Sequence, residues 1–131
     1  MGDYSKALSY YEKARELQLK TLEPNHPSVA TTYNNLGIVY SDMGDYSKAL
    51  SYYEKTLELQ LKTLGPNHPS VATTYNNLGN VYSDIGDCSK ALSYYEKALA
   101  VMRISLPATH PSINACERAA ADMSKKLMRR S

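Results

Sequence analysis

The 131-residue chain contains no phenylalanine and no tryptophan, and its aromatics are 12 tyrosines. Any aromatic core therefore carries hydroxyls that need partners, and is wet at its edges. Only two cysteines occur, Cys88 and Cys116, and they form no CxxC pair. That excludes a disulfide-dense scaffold and reads as free thiols in a reducing compartment. Cys88 also stands where the repeat described below carries Tyr4 and Tyr46. There is no charged-then-apolar leader pattern and no apolar run near 18 residues, so a cytoplasmic protein that does not enter a membrane is expected. A strong charge of either sign is missing too: the formal net charge is +2. The basic excess gathers at Lys125, Lys126, Arg129 and Arg130 and reads as a solvated end, since a nucleic-acid binder needs a clustered basic face.

Catalytic and metal signatures are also lacking. No GxxxxGK[ST], GxSxG or HExxH stretch is present. His26, His68 and His110 are one repeat apart, which in a helical array means roughly 20 Å at ordinary helix spacings. That is too far for one metal centre. Glu12, Glu54 and Glu96 recur beside Lys13, Lys55 and Lys97, as solvated helix faces commonly do. A non-enzymatic protein with no cofactor is the expectation.

What is present is a repeat. Gly2, Gly44 and Gly86 each precede Asp and, two residues on, Ser-Lys-Ala-Leu-Ser-Tyr-Tyr-Glu-Lys, with a period of 42. His26, His68 and His110, each followed by Pro-Ser, keep that period. Residues 1–42 and 43–84 differ at only four places: Ala14/Thr56, Arg15/Leu57, Glu23/Gly65 and Ile38/Asn80. The third unit keeps the pattern to Lys97 and then drifts. Such a period means stacked supersecondary units.

Each unit reads as two helices. The first starts at Asn-His-Pro-Ser, where Asn67 or His68 can cap and Pro69 suits the first turn. It buries Val71, Tyr75, Leu78, Gly79 and Tyr82 and closes at Gly86. Asp87 caps the second helix. In the middle unit that helix carries Ala49, Leu50, Tyr53, Leu57, Leu61 and Leu64 at helical spacing, and Gly65-Pro66 stops it. The chain opens inside a repeat, so a second-type helix from Asp3 to Leu22 comes first and a lone first-type helix, Pro111 to Arg130, comes last. The orphan helix offers Ala7, Leu8, Tyr11 and Ala14 for self-association. A fragment of a longer array and an array with an open end both fit.

These residues resemble the tetratricopeptide repeat. Tyr33, Leu36, Gly37, Tyr40, Ala49 and Tyr53 match its pattern, with Thr56 where alanine is usual, and Tyr75, Leu78, Gly79, Tyr82, Ala91, Tyr95 and Ala98 all match. The common family period is 34 residues. The longer unit, with its HPSVATTYNNLG stretch, is similar to kinesin light chain and related long arrays. The resemblance is strong to residue 106 and weak over 107–131. It implies an all-α, right-handed α-solenoid of about six helices in antiparallel pairs. The divisions are a truncated repeat over 1–26, repeats over 27–68 and 69–106, and a closing helix with a basic tail over 107–131.

At 100° per residue, Thr31, Asn35, Ile38 and Asp42 lie about 140–200° from Tyr33, opposite the buried side. Thr73, Asn77, Asn80 and Asp84 repeat that face, while Asn34 and Asn76 sit on the flank, at about 100°. The resemblance places this face on a concave groove, and implies contact between Asn35 and Asn77 and the backbone of an extended peptide, since an amide can pair both C=O and N–H. The flanking Asn34 and Asn76 are expected to bond to a neighbouring helix or its turn. A merely solvated face is the alternative. The first helices carry no Lys or Arg between Ser28 and Asp42 or between Ser70 and Asp84. A carboxylate clamp therefore lacks its cations, and neutral or basic partners are expected over acidic ones. A structural segment of a larger chain and a self-assembling array remain open beside the peptide scaffold.

Overall fold

The recurrent Asp and His-Pro-Ser signals become helix starts. The computed structural model describes residues 3–21 and 26–130. Over these it contains α1 (Tyr4–Thr21), α2 (Pro27–Asp42), α3 (Tyr46–Thr63), α4 (Pro69–Ile85), α5 (Cys88–Ser105) and α6 (Pro111–Arg130). Gly2 and Leu22 fall outside the described residues. The fold is all-α, as the resemblance to the tetratricopeptide repeat implies.

The histidines are caps. His26 Nδ1 accepts from the Ser28 N–H at 3.1 Å, His68 from Ser70 at 3.0 Å and His110 from Ser112 at 3.1 Å. The imidazole thus satisfies a donor that the first turn leaves orphaned, with Pro at the next position needing no N–H. The role requires the tautomer protonated on Nε2. At the other helix type Asp3, Asp45 and Asp87 accept from the backbone N–H three residues on, at 3.1–3.3 Å. Between the two types Gly44 and Gly86 take φ of 83° and 97°. There the Asp45 and Asp87 N–H groups reach back to the Tyr40 and Tyr82 carbonyls at 2.9 Å, closing the preceding helix.

The chain forms two compact units, residues 1–63 and 64–131. In the first, α2 packs against both α1 and α3. Val29, Leu36, Ala49, Tyr53 and Thr56 are buried, and the Thr56 hydroxyl donates to the Tyr52 carbonyl at 2.9 Å. Leu61 and Leu64, expected on this apolar face, stay exposed. Sequence periodicity marks a face but not how far along it the packing runs. α1 contributes no fully buried residue. Its Ala7, Leu8, Tyr11 and Ala14 are half-buried, whereas the equivalent Ala49, Tyr53 and Thr56 are buried. Polar bonds add to that packing. Arg15 Nη1 donates to Tyr52 Oη at 2.9 Å, Thr32 Oγ1 to Gln18 Oε1 at 2.8 Å, and Tyr40 Oη to Glu12 Oε1 at 3.2 Å.

In the second unit α5 is the central helix, packed against α4 and α6. Ala91, Tyr95, Ala98 and Met102 of α5 meet Ala72 of α4 and Ile113, Cys116 and Met123 of α6. The repeat explains the tyrosines. A Cβ on Gly37 would lie 2.7 Å from Tyr53 Cε1, and one on Gly79 2.7 Å from Tyr95 Cε1. The glycines let each ring lie directly on the preceding helix. In each unit a second set of tyrosines stacks in the helix seam. Tyr40 and Tyr52 have centroids 5.7 Å apart and planes within 3°, and Tyr82 and Tyr94 lie at 5.6 Å and 4°. Lys48 and Lys90 sit over the outer rings at 5.2 and 5.3 Å, a cation–π contact.

Candidate functional site

The faces expected to bind peptide are the open sides of α2 and α4, one in each unit. On α2, Thr31, Ile38 and Asp42 are exposed and Asn35 is half-buried. On α4, Thr73, Asn80 and Asp84 are exposed and Asn77 is half-buried. The Thr31 and Thr73 hydroxyls donate to the Pro27 and Pro69 carbonyls at 3.3 Å, which leaves their oxygen lone pairs as acceptors.

In the second unit this face becomes one wall of a cleft of about 390 Å³. Thr73, Asn76 and Asn80 form that wall. Ser112, Ala115, Cys116 and Ala119 of α6 form the other, and Met102 of α5 completes the lining. No lining residue carries a charge. The lining combines the hydroxyls of Thr73 and Ser112 and the amides of Asn76 and Asn80 with the apolar side chains of Met102, Ala115 and Ala119 and a buried thiol. Such a mix suits a segment with a modest uncharged side chain and a backbone to pair. Thr73 and Asn80 are the expected residues it brings together. Asn77 and Asp84 are not among its lining residues. Asn76, expected to bond to a neighbouring helix, lines the cleft instead. Its flank position, about 100° from Tyr75, puts it on the side that shares the cleft with α6. The α6 wall had no signal in the sequence, because the repeat pattern has drifted there.

Burial governs the titratable groups around the cleft. Cys116 is buried and its Sγ lies 3.4 Å from the Tyr95 carbonyl, to which it donates. Burial pushes its thiol up to about 11, so it stays a thiol and a poor nucleophile at neutral pH. Tyr95 is pushed up to about 12 by burial first, with Cys116 and Asp84 adding to it. In the first unit, away from the cleft, Tyr53 rises to about 12 for the same leading reason, with Asp42 next. Tyr95 Oη donates to Asn80 Oδ1 at 2.6 Å. Among the described residues no group of His, Cys, Asp and Glu could hold a metal ion, and no helix is long and apolar enough to cross a membrane.

Known proteins fit this picture. The family model for the tetratricopeptide repeat matches residues 1–62 and 42–104. The chain belongs to the tetratricopeptide repeat family, whose members are generally protein–protein interaction modules and typically non-enzymatic scaffolds. Among solved structures it is similar to a candidate kinesin light chain of Podosopora anserina with nearly identical TPR-like repeats, at TM-score 0.83 and 28% identity, over 93% of this chain and 58% of that one. It is also similar to BtubC (BKLC) from P. vanneervenii, at TM-score 0.79 and 27% identity, over 93% of this chain and 52% of that one. The N-terminal domain of stress-induced protein-1 from C. elegans shares the fold, at TM-score 0.66 and 24% identity over 89% of this chain and 81% of that one. The chain spans little more than half the length of the first two. No curated protein sequence matches it.

Proposed function

We propose that the chain is a scaffold that binds extended peptide segments along the open faces of α2 and α4, and that it takes neutral or basic segments over acidic ones. The observation that carries this reading is the uncharged lining of the second unit's cleft, with Asp84 one helical turn beyond Asn80 on the same helix. Thr31, Asn35, Ile38 and Asp42 make the matching surface on the first unit, and Thr73, Asn77, Asn80 and Asp84 the one on the second. An acidic segment would find no lysine or arginine on α2 or α4 and an aspartate on each.

The experiment is a titration of blocked nonapeptides of neutral, basic and acidic composition at low and high salt. Neutral or basic peptides should bind best, and the preference over acidic ones should narrow as salt screens the aspartates. Equal or tighter binding of the acidic peptide at low salt would contradict the reading.

A second reading rests on α1. Tyr10, Leu17 and Leu19 are exposed, and the residues that are buried in α3 and α5 are only half-buried here. This surface can bury apolar area against a second copy, at roughly 2.5 kcal/mol per 100 Å² before the cost of association. Analytical ultracentrifugation over a concentration series should show reversible self-association. A strictly monomeric chain at high concentration would dismiss it.

A further inference from the structure

Two copies of a unit that agree almost everywhere make each disagreement informative. Of the four differences between residues 1–42 and 43–84, Ala14/Thr56 and Arg15/Leu57 lie on α1 and α3, and Glu23/Gly65 lies in the segment before Pro-Asn-His-Pro. Only Ile38/Asn80 falls on the exposed face of α2 and α4. Ile38 presents an apolar side chain, 40% exposed. Asn80, at the same place, is held in one orientation. The ring of Tyr95 lies over Gly79, the residue is buried, and its hydroxyl donates to Asn80 Oδ1 at 2.6 Å. The phenol's one proton is thereby committed to Asn80. With Oδ1 occupied from beneath, the other limb of the planar amide, an NH₂ with two donors, is left at the rim shared with Thr73, Asn76 and Ser112. Ile38 offers no acceptor to Tyr53, so the first unit cannot build this arrangement.

We propose that Asn80 is the specificity-determining residue of the second unit. Its amide, positioned by Tyr95, presents a hydrogen-bond donor to the cleft and selects a carbonyl oxygen of an uncharged extended peptide. The same place on the first unit is an apolar contact made by Ile38. This rests on the peptide-scaffold reading and adds to it a polarity, donor from the protein and acceptor from the ligand, and a difference between two otherwise matching repeats.

The test starts with selection of a displayed nonapeptide library lacking Asp, Glu, Lys and Arg against the full chain. The enriched peptide, acetylated and amidated, is then titrated against four proteins: the parent, Asn80→Asp, Asn80→Ile and Tyr95→Phe. Asn80→Asp keeps the shape and the bond from Tyr95 but removes the donor, and should weaken binding about tenfold. Asn80→Ile installs the residue that the first copy already carries, and should weaken binding by about as much. Tyr95→Phe keeps the buried ring and frees the amide, so it should cost about threefold and shift the Asn80 side-chain amide resonances of the free protein. Peptides that bind all four proteins alike, with those resonances unmoved by Tyr95→Phe, overturn the assignment of Asn80 and leave the scaffold reading standing. A library that yields no binder overturns the scaffold reading, and this inference with it.

Discussion

Replacing Gly79 by alanine sets two effects of opposite sign against each other. On an open helix face the change stabilises by about 0.5–1 kcal/mol, because glycine loses the most backbone freedom on folding. At position 79, however, the new Cβ would meet Tyr95 Cε1 at 2.7 Å, Cδ1 at 2.8 Å and Cζ at 3.1 Å. Ordinary carbon–carbon contact is about 3.5–4.0 Å. Three atoms along one ring edge are involved, not the tip of a flexible chain. The ring has little room to retreat, since Tyr95 is 2% exposed and tied to Asn80 through its hydroxyl. α4 and α5 must part, or the ring must leave its place. Overpacking of this kind costs about 1–3 kcal/mol, so the net effect is a loss of about 1–2 kcal/mol, a few degrees in Tm. The assay is urea denaturation followed by helix circular dichroism on Gly79→Ala, Tyr95→Ala and the double variant. Removing the ring relieves the clash, so the double variant should lose less than the sum of the singles, by about 1 kcal/mol. A Gly79→Ala protein more stable than its parent, as propensity alone dictates, would refute the packing argument for both repeats.

Further outcomes follow from the caps, the buried phenols and the asparagines. Asn35→Ala combined with Asn77→Ala should weaken peptide binding by on the order of 1 kcal/mol per lost backbone pair while helix content stays intact, and unchanged affinity would remove these two residues from the contact. His68→Ala removes the acceptor for the Ser70 N–H and should destabilise by about 1 kcal/mol in thermal melts; an unchanged Tm would show that the first turn finds another partner. Tyr53 and Tyr95, with folded-state values raised from 10.0 to about 12, favour the neutral phenol more than the unfolded chain does. Their contribution is therefore full below pH 10 and is lost as pH rises toward 12, so urea midpoints at pH 9 and pH 11 should fall in that order, and equal midpoints would count against their burial.

Much of this was readable from residue spacing. The 42-residue period located six helices, and the recurrence of Asp after Gly and of Pro after His located their starts. Those are local signals, set by capping and turn chemistry within a few residues. The sequence left Asn67 and His68 as rival caps, and only geometry puts the imidazole Nδ1 on the Ser70 N–H. The cleft was half legible. Thr73 and Asn80 follow from the 100° wheel, but the α6 wall comes from residues where the pattern has drifted, and Asn76 lines the cleft only because α6 supplies its opposite wall. The Tyr95 to Asn80 bond joins positions 15 apart on two helices, and no periodicity reports it.

The peptide-scaffold claim is tested most directly by mapping a bound uncharged nonapeptide onto the backbone and side-chain amide resonances of the full chain. The account predicts saturable shifts at Thr73, Asn76 and Asn80 of α4 and at Ser112, Ala115 and Ala119 of α6. Saturable shifts confined to α1 or to the stacked tyrosine seams, with the cleft residues unmoved, would contradict it.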